Sequence, residues 1–78
     1  KLSNANLSEA NLERADLQCA DLSRANLNEA NLEDAKLNAA NLSAATLVKS
    51  NLNFAYMPCA QLYQANLKEA KLSRVELT

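Results

Sequence analysis

The chain has 78 residues, with eight basic and nine acidic side chains, no histidine and a net charge of −1 at pH 7. Hydrophobic residues make up 49% of it, nearly all of them Leu and Ala, and aromatics 4%. That length allows one small domain over 1–78. The charge argues against a basic nucleic-acid-binding surface, and no stretch reads as a bilayer span or a secretion signal.

From the first residues onward the chain keeps one period. Leu2, Leu7, Leu12, Leu17 and Leu22 begin a series that runs to Leu67, Leu72 and Leu77, broken only by Met57. Two residues before each site, from residue 5, stands Ala, with Ser50 and Val75 as exceptions. On a helix, five residues advance roughly 500°, so the leucines would spiral around it and leave no polar face. On a strand, residues five apart fall on alternate faces. A unit that turns a corner every five residues fits: Ala at i−2 and Leu at i point inward, i−1 points out, and i+1 and i+2 make the corner. Four units close a coil of 20 residues, and coils stack at about 4.8 Å.

The runs Ala5-Asn6-Leu7-Ser8-Glu9, Ala15-Asp16-Leu17-Gln18-Cys19 and Ala25-Asn26-Leu27-Asn28-Glu29 resemble the pentapeptide repeat family, with its A-(D/N)-L-x-x consensus. The resemblance covers essentially all of the chain. It implies an all-β right-handed quadrilateral β-helix, here about four coils of 20 residues, with the handedness taken from the resemblance alone.

The frame sets further expectations along the chain. The repeat already runs at Leu2 and still runs at Leu77, so the segment reads as part of a longer protein, or as a module lacking caps that stacks end to end, as in a homodimer through uncapped coils. Glycine is absent, and the i+2 corners are residues such as Asn4, Glu9, Arg14, Cys19 and Arg24. Most corners are therefore expected to avoid the type II turn, which needs positive φ at its third position. Pro58 falls at i+1, where its fixed φ is favoured. Asn11, Asn31 and Asn51 are expected to stack, as are Asn6 and Asn26, with amides bonded along the axis. Arg14 should pair with Asp34, and Asp16 with Lys36. Cys19 and Cys59 lie two coils apart, about 9.6 Å, beyond disulfide reach of about 7 Å. Two free thiols favour a reducing, cytoplasmic compartment.

All three aromatics fall between residues 54 and 63. Phe54 is placed at a corner, Tyr56 on the next side and Tyr63 one corner further, with Pro58 among them. Outward aromatics on a polar surface point to an interface, so Phe54, Tyr56, Pro58 and Tyr63 are the candidate partner contacts. With no histidine, no glycine-rich loop and no concave pocket expected, the chain reads as non-enzymatic and free of cofactor and metal. The function expected is a rigid scaffold that meets a protein partner, not nucleic acid or membrane. The alternative is a DNA-mimic regulator of a topoisomerase, of the gyrase-binding type that the resemblance brings with it. A mimic needs a sustained negative field, and residues 41–78 hold four basic and two acidic side chains.

Overall fold

The computed structural model describes all 78 residues as a short rod of 26 × 21 × 21 Å. Parallel bridges join residues twenty apart, from Asn6 with Asn26 to Tyr56 with Glu76. Between one bridge and the next in a column the chain makes a turn at every fifth residue. Each side is one bridge long, so the coil contains no continuous strand. Leu22, Leu27, Leu32, Leu37, Leu42, Leu47 and Leu52 are wholly buried, interleaved with Ala25, Ala30, Ala35, Ala40, Ala45 and Ala55. Alternating large and small side chains thus fill the shaft. Ser50 takes one of the small inner positions; its hydroxyl is buried and has no hydrogen-bond partner.

The corners depart from the sequence expectation. All fifteen i+2 residues, from Asn4 to Arg74, have φ between 57° and 64°. Positive φ at the third turn position alone is the type II sign pattern, here carried by Glu, Arg, Cys, Asp, Ala, Lys, Phe and Gln as well as Asn. A side chain other than glycine in this region costs on the order of 1 kcal/mol. From Asn4 to Phe54, two backbone hydrogen bonds hold each corner there. At Arg14, the Arg14 N–H donates to the Glu33 carbonyl at 2.9 Å, and the Ala15 N–H donates to the Leu12 carbonyl at 3.0 Å. The residue preference loses to a corner that is fixed on both flanks.

A full account of one repeat's amides shows what the asparagines do. The Ala25 N–H donates to the Leu22 carbonyl, Asn26 to Ala5, Leu27 to Thr46 and Glu29 to Val48, at 2.7–3.0 Å. Only the Asn28 N–H has no backbone acceptor, and the Oδ1 of Asn26 takes it at 2.9 Å. The same local bond recurs from Glu33 to Asn31, from Ser43 to Asn41 and from Asn53 to Asn51. Stacked asparagines are therefore bridge partners, as expected, but their carbonyl oxygens are spent within their own repeat. The expected amide ladder along the axis does not form; the cross-coil bonds from these columns are Thr46 Oγ1 to Asn26 Oδ1 and Asn51 Nδ2 to Glu33 Oε1, both at 3.4 Å.

Where the i−1 residue is neither Asn nor Asp, two of these amides find an oxygen in the previous coil. The Val48 N–H, two beyond Thr46, donates to Asn28 Oδ1 of the previous coil at 2.9 Å, and the Ser73 N–H donates to Asn53 Oδ1 likewise. Two beyond Tyr56 stands Pro58, which has no N–H to satisfy. Its own carbonyl still accepts from Ala39 at 2.9 Å.

The expected cross-coil ion pairs are also absent. The contacts present are Arg14 Nη1 to Glu13 Oε2 at 3.4 Å and Lys49 Nζ to Glu69 Oε1 at 4.0 Å. Asp16 does face Lys36 as a bridge partner, but its carboxylate accepts from Gln18 N–H and Nε2 instead. Both cysteines are free thiols on the surface.

Two outcomes follow from this accounting. Asn41→Ala leaves the Ser43 amide without its partner and lowers stability by about 1 kcal/mol in chemical denaturation; adding Ser43→Pro removes that amide and recovers most of the loss. A Pro that deepens the loss instead contradicts the account. Asp21 Oδ1 accepts from Ser23 Oγ at 2.7 Å and from the Ser23 N–H at 3.1 Å, and these bonds hold its carboxyl below the ordinary 3.8. Its folded pKa being depressed, the contribution is present above the unfolded pKa and fades as pH falls through the folded value. NMR titration of the Asp21 carboxyl should give a midpoint below 3.8, and Ser23→Ala should move it upward; an unmoved midpoint contradicts the assignment.

Candidate protein-contact face

Corners and bridges sort the outward residues into sides. Phe54 and Pro58 occupy successive corners, and Tyr56 stands midway between them on the side they bound. These three candidates therefore share one side. Above Tyr56 is Lys36 and below it Glu76, its two bridge partners. Phe54 and Tyr56 are 46% and 44% exposed, and Met57, which shares their repeat, turns inward and is buried. The Arg74 guanidinium lies 5.9 Å from the centroid of the Phe54 ring, a cation–π contact worth about 0.5–1 kcal/mol at an exposed site. Residue 74 is 54 plus 20, so the register alone could have paired them.

Tyr63, 74% exposed, stands apart. It is two corners from Phe54, not one, because the Pro58-Cys59 corner and the side of Gln61 intervene. There it borders a shallow polar groove with Ser23, Arg24, Asn41, Ser43, Ala44 and Gln64. Small residues at 43 and 44 leave this notch between Arg24 in one coil and Tyr63 two coils on.

Charge is divided unevenly among the sides. The side built from 9–13, 29–33, 49–53 and 69–73 carries Glu9, Glu13, Glu29, Glu33 and Glu69 against Lys49 and Lys71. The adjoining side, from 4–8, 24–28, 44–48 and 64–68, carries Arg24 and Lys68 and no acid. The aromatic side is balanced, with Arg14, Lys36 and Arg74 against Asp16, Asp34 and Glu76. No three His, Cys, Asp or Glu side chains converge closely enough to hold a metal ion, and no helix is long and apolar enough to cross a membrane.

The family profile described as Pentapeptide repeats matches residues 1–34 and 35–74, in eight copies. No curated protein matches the chain. Among solved structures, a pentapeptide repeat protein from Nostoc Pcc 7120 is 43% identical, with a TM-score of 0.61 over 90% of this chain and 62% of its own. Rfr23 from the cyanobacterium Cyanothece 51142 is 35% identical, with a TM-score of 0.48 over 94% of this chain and 50% of its own. HetL from Nostoc sp. Strain PCC 7120, described as involved in heterocyst differentiation regulation, is 28% identical, with a TM-score of 0.35 over 90% of this chain and 48% of its own. The chain thus spans between about half and three-fifths of the length of these structures. The five-residue period, the twenty-residue bridges and the profile match together show that the chain belongs to the pentapeptide repeat family and folds as a right-handed β-helix.

Proposed function

We propose that this chain is a non-enzymatic interaction module: a four-sided rod of about four coils that holds a flat side rigid against a protein partner. The observation that carries this reading is the coplanar set Phe54, Tyr56 and Pro58. Two rings sit nearly half exposed on a side with no net charge, where every neighbouring outward residue is polar or charged. An aromatic pair within a rim of balanced charge has the composition of an interface core and its surround. The backbone beneath is locked by bonds at both corners, so ordering the surface on contact costs little. Tyr63 serves as a second, separate contact on the far corner.

No feature favours catalysis: the acidic residues point outward on three sides, away from any concave, water-excluding pocket. The DNA-mimic alternative draws on the five-glutamate side. That side also carries Lys49 and Lys71, and its neighbour is basic, so no sustained negative field wraps the rod.

The test is capture from a cell lysate with three immobilised proteins: wild type, Phe54→Ser with Tyr56→Ser, and Val48→Ser on the acid-free side. The double substitution should remove a specific partner or weaken it by about thirtyfold, the scale of a hot-spot pair, while Val48→Ser retains it. Identical partner profiles for all three rule out the aromatic side as the contact.

A further inference from the structure

Down the rod axis, the outward residues of the aromatic side follow a reversing order. In the first corner column Phe54 lies between Asp34 and Arg74, each twenty residues away. In the middle column Tyr56 lies between its bridge partners Lys36 and Glu76. The far corner column, with Gln18, Asn38, Pro58 and Thr78, is uncharged. Each ring thus stands between an acid and a base, and the order of the two reverses from one column to the next.

All four of these charged residues are exposed. The ion pairs within the chain are Arg14 with Glu13 and Lys49 with Glu69, so Asp34, Lys36, Arg74 and Glu76 have no ionic partner of their own. Within each column the acid and the base are two coils apart, about 9.6 Å, with a ring between them. The Arg74 guanidinium rests over the Phe54 ring and keeps its charge free for a further partner.

We propose that two copies of this chain pair side against side, antiparallel, about a two-fold axis at the level of Phe54 and Tyr56. Such an axis lies in the contact plane, perpendicular to the rods, and sets each column against itself in reversed direction. Phe54, Tyr56 and Pro58 then meet their own counterparts, Asp34 meets Arg74 and Lys36 meets Glu76. Symmetry doubles each ion pair, so four pairs flank an apolar centre. The contact is isologous and closes as a dimer. This inference rests on the aromatic side being a protein-contact side, and it supplies the partner: a second copy.

Charge opposes the other ways of pairing this side. A parallel dimer sets Lys36 on Lys36 and Glu76 on Glu76 of the second copy. An antiparallel dimer with its axis between Lys36 and Tyr56 sets Arg14 against Arg74 and Asp16 against Glu76. One centred on Lys36 sets Lys36 on Lys36 and Asp34 on Asp34. Like charges brought together in this way select register and orientation. Three coil levels, about 14 Å, by a side at most 21 Å wide, give at most about 300 Å² per copy, at the weak end of specific interfaces. The dimer is therefore reversible, and because exposed ion pairs align it, added salt weakens it.

The experiment is equilibrium sedimentation of the 78-residue chain from about 10 µM to about 1 mM, the range where contacts of this size become populated. The expected result is a mass that rises to the dimer and stops there, with less dimer as salt is raised from about 50 mM to about 0.5 M. Lys36→Glu alone and Glu76→Lys alone each turn two attractive pairs into repulsive ones and should weaken the dimer by about tenfold or more. The two variants mixed, or both substitutions in one chain, restore opposite charges at every contact and should recover it. Circular dichroism checks that each exposed substitution leaves the fold intact. A wild-type chain that stays monomeric to about 1 mM at low salt overturns the self-pairing. If the lysate partner is then still lost with Phe54→Ser and Tyr56→Ser, the side serves a different protein and the interface reading stands alone. A dimer indifferent to both single substitutions, or a mass that climbs past the dimer, likewise overturns the pairing.

Discussion

Every side of this rod depends on how the chain turns its corner. A five-residue side permits only one bridge to the neighbouring coil, so the corner residues must themselves pair with that coil. They do so with the i+2 residue at positive φ, its N–H bonded to the next coil and the following N–H closing the turn. This arrangement leaves one amide of each repeat, at i+1, with no backbone acceptor. The identity of the i−1 residue follows from that orphan. Asn and Asp place an oxygen within reach of an amide two residues ahead, the geometry of an Asx turn. The D/N position of the repeat is thus a satisfaction device that the corner creates.

The interior was legible in the sequence and the corners were not. Leu at every fifth position admits few backbones, and the period led directly to the twenty-residue register that the bridges display. The turn type was misread because residue preference was weighed without tertiary bonds. Glu9 and Arg14 have little intrinsic taste for φ near 60°, yet two hydrogen bonds per corner outweigh it. The same omission misread the asparagines. Their stacking was visible from the period, whereas their hydrogen bonds depend on which amides the backbone has already used. Charge pairs read from the register failed for a related reason: proximity in a column does not hold long exposed side chains together, and the short carboxylate of Asp16 has a nearer donor in Gln18.

The outward surface was partly legible. The frame set Phe54 at a corner, Tyr56 on the next side with Pro58 nearby, and Tyr63 one corner further; the turns put a second corner between Phe54 and Tyr63, which separates Tyr63 from the patch. Arg74 beneath Phe54 and the notch between Arg24 and Tyr63 went unread, although both follow from adding twenty or forty to a residue number. Pro58 now has a fuller rationale than its favoured φ. It stands at the one position per repeat where a missing N–H removes no backbone bond, and it follows Tyr56, which could not have served that amide. The aromatic side is thereby compatible with the fold beneath it, because the residue that gives up the Asx oxygen is matched by one that needs none.

The central claim is that one amide per repeat lacks a backbone acceptor and relies on the side chain at i−1. Amide hydrogen exchange followed residue by residue by NMR tests it most directly. The account predicts a five-residue rhythm in the middle coils, with the Asn28, Glu33, Ser43 and Asn53 amides protected through their Asn oxygens. The Asn38 and Tyr63 amides follow Lys36 and Gln61 and should exchange much faster than the Leu37 and Ala40 amides, which are bonded to backbone carbonyls. Uniform protection across all five positions of the repeat would contradict it.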